Sequence, residues 1–130
     1  MEDEIKTDSC IFCSISKDRI SKKFNYFYVI EDAFPVTEMH TLIISNRHIS
    51  NYFDLSKEEK DELPAILEEL KNLLLKRDAS IEGFNIGINI GEVAGQTVMH
   101  FHQHLIPRRA GDVDNPRGGV RGVIPAKQQY

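Results

Sequence analysis

The 130-residue chain has no apolar run approaching the roughly 18 residues a bilayer-spanning helix needs, which excludes a transmembrane helix. It has no surplus of positive charge either. Sixteen lysines and arginines stand against 20 aspartates and glutamates, a net charge of −4. A deficit of that sign argues against generic binding to nucleic acid or to an anionic membrane. The first residues, Met1-Glu2-Asp3-Glu4, are acidic where a secretory signal would be basic and then apolar, so the expected location is the cytoplasm. Internal repeats and low-complexity tracts are absent. Cysteine is scarce, with two residues at Cys10 and Cys13. A structural disulfide is not expected in a reducing compartment. A redox C-x-x-C usually follows a strand, and nothing before Cys10 reads as one. Metal binding or two ordinary thiols remain.

What is present is ordinary in bulk: 41% hydrophobic and 28% charged residues, the composition of a globular protein. The length suits one domain over residues 1–130, with a short arm over 1–9. Charge is uneven along it. Residues 1–107 carry 11 basic and 18 acidic side chains, whereas residues 108–130 carry five basic and two acidic ones. The latter form a basic C-terminal tail, suited to a polyanionic ligand or simply to solvent.

Residues 17–23 are polar and read as loop. Phe24 to Glu31 and His40 to Ser45 read as strands, joined by a link at Pro35 too short for a helical crossover, so antiparallel pairing is expected. Ser56 and Glu59 form a candidate capping box. Leu63, Ile66, Leu67, Leu70, Leu73 and Leu74 then make one apolar helical stripe reaching about Arg77. Pro64 predicts either a kink or a separate first turn. Phe84 to Ile90 and Thr97 to Ile106 read as two more strands, the second closed by Pro107. The expected class is α+β, a mainly antiparallel sheet with one long helix.

His100, His102 and His104 alternate in the last of these strands, which would set three imidazoles on one face. Three such groups are costly to bury without partners. They could chelate one catalytic metal with an open position for water. Alternatively, one could be a nucleophile while its neighbours hold a phosphate. Gly91 to Thr97 precedes them, a loop with glycines, an amide and a hydroxyl that could cradle phosphate oxygens. Cys10, Cys13, His48 and one triad histidine would make a closed Cys₂His₂ zinc site, leaving the other two for chemistry without metal.

His100-Phe101-His102-Gln103-His104-Leu105-Ile106 resembles the H-x-H-x-H signature of the histidine-triad (HIT) family of nucleotide hydrolases and transferases. Gly95-Gln96-Thr97-Val98 before it, and Pro107-Arg108 with Gly111-Asp112 after it, are similar to the dinucleoside polyphosphate hydrolase branch. The C-x-x-C with His48 is similar to the zinc-containing members. The likeness spans about residues 10–125 and implies a HIT-like fold of about five strands. It implies His102 as the nucleophile on the α-phosphorus, forming a nucleotidyl-histidine, and His104 as a phosphate hydrogen-bond partner. It further implies Asn89, Gln96 and Thr97 near the phosphate, Asp32 on the ribose, and Cys10, Cys13, His48 and His100 on a structural zinc. The implied substrate is a dinucleoside polyphosphate such as diadenosine tetraphosphate. A nucleoside phosphoramidate is the first alternative, a metal-dependent hydrolase using the triad the second, and a nucleotide-binding module with little catalysis the third. A homodimer joined edge to edge is implied as well. One departure stands out: the family's Pro-Gly-His before the second strand is Glu38-Met39-His40 here.

Overall fold

A computed structural model describes residues 9–130, so all but one residue of the expected N-terminal arm lies outside the described residues. Five strands form one sheet: β1 (Ile20–Lys23), β2 (Phe27–Glu31), β3 (Thr41–Ser45), β4 (Gly83–Gly87) and β5 (His102–Arg108). Their order is β1-β2-β3-β5-β4 and every neighbouring pair is antiparallel. One helix, α1 (Lys57–Arg77), connects β3 to β4. This is the expected α+β arrangement, an antiparallel sheet with one long helix.

Strand alternation divides the molecule into two layers. Phe27, Val29, Ile43 and Leu105 face α1 and pack with its buried Leu63, Ile66, Leu70 and Leu74. Tyr28, Ile30, Leu42 and Ile44 face the other way and pack with Phe12. β2 and β3 are therefore apolar on both faces, which is why they read as continuous hydrophobic runs. Leu73, expected in the helix stripe, is exposed on α1.

Three local expectations change. Residues 20–23 are an edge strand rather than loop, hidden in the sequence by its lysines, a common way to protect an edge from further pairing. Lys22 there pairs with Glu69 on α1. Second, of the two outcomes expected at Pro64 the separate first turn does not occur: Lys57–Arg77 is one helix, with the Ser56–Glu59 capping box formed in both directions. Pro64 lies on the exposed side, where water can serve the carbonyl its missing N–H leaves unpaired. Third, β5 starts at His102 and continues through Pro107. The Pro107 carbonyl accepts a hydrogen bond from the Thr37 hydroxyl, on the side where β3 has already ended. The nitrogen of the same residue faces that side too, so proline removes no ladder bond there.

Met39 occupies the left-handed region at φ 71°, the place where the resemblance puts glycine. The turn before β3 thus keeps its geometry at a cost of about 1–2 kcal/mol for a non-glycine residue. Met39 offsets part of it by packing against the helix-side core.

Candidate active site and metal centre

The three triad histidines do not share one environment. His100 precedes β5 and is fully buried. Its Nδ1 lies 3.4 Å from the Cys10 sulfur, 3.5 Å from that of Cys13 and 3.1 Å from His48 Nδ1. Cys13 is 3.2 Å from His48 Nδ1. A tetrahedral zinc with its usual bond lengths sets sulfur–nitrogen edges of about 3.5 Å and nitrogen–nitrogen edges of about 3.3 Å. The donor set fits that ion in chemistry and in spacing. His100 Nε2–H donates to the Ser45 carbonyl at 2.7 Å, which leaves Nδ1 with the lone pair a metal needs. All four sequence-predicted ligands, Cys10, Cys13, His48 and His100, are brought together.

His102 and His104 lie on the sheet face away from α1, opposite Ile44 and Leu42 of β3. His102 Nδ1–H donates to the His100 carbonyl at 2.9 Å, leaving the lone pair on Nε2. His104 belongs to a different chain of contacts. The Val36 N–H donates to His40 Nδ1 at 3.0 Å, so His40 carries its proton on Nε2. That proton points to His104 Nδ1 at 2.9 Å, with Asp32 Oδ2 at 3.5 Å from the same nitrogen. His104 must then be protonated at Nε2, as a donor. These tautomers follow from the hydrogen-bond network. His40, which had no firm role in the sequence, sets the proton position on His104.

The triad thus does not converge on one ion. Among the described residues, the groups whose donors converge are Cys10, Cys13, His48 and His100 on one side and Asp32, His40 and His104 on the other.

Burial lowers the His104 pKa to about 4, helped by the nearby His102 and His40. Burial also lowers that of His40, against the pull of Asp32. Both imidazoles are neutral at pH 7, as the relay requires. A folded pKa below the unfolded value of about 6.5 means that the unfolded chain takes up protons first as pH falls. The stability present above pH 6.5 should therefore be lost progressively down to about pH 4. Urea unfolding between these limits checks this: the midpoint should drop with acid, and less steeply in His104→Gln. Parallel pH profiles for the two proteins would contradict it.

Asn89 is exposed and lines a groove of about 550 Å³ together with His104, Val36, Ile86, Val120 and Val123. Gly87 sits opposite His104 in the register, and its missing side chain leaves the groove open there. The loop before β5 turns on Gly91 and Gly95, at φ 91° and 99°. Gln96 is buried, and its amide ties the loop to the segment after β3: Oε1 accepts from Gly91 N–H, and Nε2 donates to the Ser50 and Val98 carbonyls. Thr97 is exposed on the same loop, beside a hollow that Cys10 and His48 also line. Asp32 is only partly exposed, and its Oδ1 accepts from the Phe34 N–H.

The basic tail is largely self-paired. Arg108 bonds Asp112 and Asn85, Arg109 bonds Asp78, and Arg117 and Arg121 lie over the Tyr130 ring. No helix among the described residues is long and apolar enough to cross a membrane.

Comparison with known proteins places this geometry among relatives. The HIT domain model matches residues 15–111. A zinc-bound histidine triad family protein from Mycobacterium smegmatis is 33% identical, with a TM-score of 0.72, over 80% of this chain and 78% of that one. The adenosine 5′-monophosphoramidase of Candida albicans is 31% identical over 78% of this chain and 71% of its own length. The diadenosine triphosphate hydrolase of Plasmodium falciparum is 28% identical, with a TM-score of 0.71, over 78% of this chain and 68% of that one.

Proposed function

This chain belongs to the HIT domain family, and from that premise we propose that it is a nucleotidyl hydrolase or transferase acting through His102. The observation that carries this reading is the pair of tautomers. His102 offers a bare Nε2, and its neighbour His104 offers an Nε2–H. The first suits attack on an electrophilic phosphorus, the second a phosphate oxygen whose charge grows during the attack.

In this mechanism His102 Nε2 displaces the leaving group from the α-phosphorus and forms a phosphorus–nitrogen bond. Water then displaces the imidazole and releases a nucleoside monophosphate. His104 hydrogen-bonds a phosphate oxygen throughout. Asp32 accepts from the ribose hydroxyls. Asn89 reaches the phosphate from the groove and Thr97 from the loop. Gln96 acts on the same region by holding the loop that carries Thr97, since its own amide is spent on Gly91 and Ser50. Positioning and charge stabilisation supply most of the catalysis in such transfers.

Dinucleoside polyphosphates such as diadenosine tetraphosphate are the assigned substrate class. The open groove beside His104 supports it, since that leaving group is large. The second reading is nucleoside phosphoramidate hydrolysis, favoured by the named activity of the Candida albicans relative. Mass spectrometry of acid-sparing quenches, after mixing with either substrate, tests both. An adduct of one nucleoside monophosphate on His102 is expected, and its rate of formation ranks the donors. Turnover without any adduct would refute the covalent route.

Zinc is assigned to Cys10, Cys13, His48 and His100. A four-ligand site has no open position and serves structure rather than water activation. One zinc per chain is expected in wild type and none in Cys10→Ser/Cys13→Ser, by elemental analysis; retention of zinc in the double variant would reject the ligand set. β4 is a sheet edge, where two copies would pair into a homodimer; sedimentation would measure it.

A further inference from the structure

Besides its contact with the His104 ring, His102 is restrained twice by the Cys/His cluster and the segment that carries its cysteines. The first is the His100 carbonyl, which takes the His102 Nδ1–H at 2.9 Å. His100 is itself held at Nδ1 among the cysteines and at Nε2 by the Ser45 carbonyl. The second is Phe12, which lies between Cys10 and Cys13 in the chain. Its ring meets His102 edge to face, with centroids 5.0 Å apart and planes at 69°. The same ring meets His100 at 6.0 Å and 90°.

Phe12 is 8% exposed and packs in the cluster of Tyr28, Ile30, Leu42 and Ile44. The Cys10–Cys13 segment closes on itself through the Cys13 N–H to the Cys10 carbonyl, at 3.1 Å. The Tyr28 hydroxyl donates to the Phe12 carbonyl and ties the segment to β2. A half-exposed imidazole has two ring orientations of similar shape, and a flip exchanges Nδ1 with Nε2. One hydrogen bond biases that choice modestly; a fixed wall beside the ring removes side-chain rotations that would break it.

We propose that the Cys₂His₂ knuckle is the mount of the nucleophile, with Phe12 as a positioning residue that fixes the orientation of His102. This deepens the assignment of His102 as nucleophile and rests on it. The cluster then affects turnover without touching substrate. A metal of another identity that keeps the four ligands in place should serve nearly as well, because the mount transmits geometry and not Lewis acidity.

The test compares zinc-loaded wild type, Phe12→Leu and Phe12→Ala. It uses kcat, KM and the ¹⁵N and ¹H resonances of the His102 ring. In wild type the Nδ1–H should be a single protected signal. Phe12→Ala should retain its zinc, show mixed His102 tautomers and lose about 100-fold in kcat, the size of a misplacement near 1 Å. Phe12→Leu should recover most of kcat. If Phe12→Ala fails to fold, Phe12→Val is read in its place. Cadmium-substituted wild type should keep kcat within a few-fold and the wild-type His102 signal.

An unchanged His102 signal with unchanged kcat in the truncated variant would overturn the proposal. So would a fall confined to substrate affinity with the tautomer intact. Mixed tautomers alongside unimpaired turnover would uphold the mount and instead remove His102 as nucleophile. The two readings therefore fail separately.

Discussion

His102→Ala is expected to lose turnover by about 10⁴-fold or more while still binding a nucleoside monophosphate. Removing a covalent nucleophile costs about 10⁶-fold in well-studied hydrolases, and what remains is binding and charge stabilisation by the rest of the site. On the proposed mechanism those groups are His104, Asp32, Asn89 and Thr97. None of them receives a hydrogen bond from His102. The fold should tolerate the change. His102 is half-buried, and its Nδ1–H bond goes to a carbonyl only two residues away, so no long-range contact of the fold is lost with that bond. Steady-state kinetics and calorimetric titration with AMP on one preparation check both halves. Activity within tenfold of wild type would remove His102 from the mechanism.

Arg47→Ala is expected to destabilise the protein by about 3–5 kcal/mol, the usual result of leaving a buried charge without its partner. Glu59 is 2% exposed, and Arg47 grips it with two bonds, 2.9 Å and 2.8 Å long. Burial alone would raise the Glu59 pKa, but the bonds from Arg47 and Ser56 outweigh it, and the carboxyl sits below its ordinary value. The sign is that of a depressed carboxylate. Its contribution is complete above the unfolded pKa of about 4.3 and is lost as pH falls through the lower folded value. Without Arg47 that contribution reverses, because the buried carboxylate then resists ionisation.

The pair also anchors the cluster of Cys10, Cys13, His48 and His100. Arg47 precedes His48, and its carbonyl accepts from the Ser45 hydroxyl, so the loop carrying one ligand is pinned to the first turn of α1. Arg47→Ala should therefore lower zinc affinity as well as the urea midpoint. Arg47→Met with Glu59→Gln should recover much of the stability. Glutamine keeps the capping-box acceptor for Ser56, and no isolated charge remains. A single variant as stable as wild type would show that the ion pair carries no net stability.

Several elements were legible from residue order. The Ser56–Glu59 box, the stripe ending near Arg77 and the apolar runs of β2 and β3 depend on spacing and local bonding, which a sequence displays directly. So did the division of cysteines and histidines, because their donor chemistry narrows the choices. Other elements were not. β1 was hidden because Lys22 and Lys23 are chosen for an unpaired edge rather than for strand propensity. The alternation of His100, His102 and His104 did not show that His100 precedes the strand and bonds differently from the other two. Its side chain belongs to the cysteines, about 90 residues distant in the chain. Nor did residue order show that the Gln96 amide is buried and bonds both its own loop and the Ser50 carbonyl.

The sequence by itself determined the chemistry on offer: a family signature, four metal-type donors, three further imidazoles and a net negative charge. Only the tertiary structure decided which nitrogen of each histidine is bare. That choice depends on the Ser45 carbonyl for His100 and on His40 for His104, both from distant segments, and for His102 on the nearby His100 carbonyl with the ring of Phe12 beside it. A ring's proton goes where its partners in space require, and those partners are set by how strands register and pack, which no local pattern records.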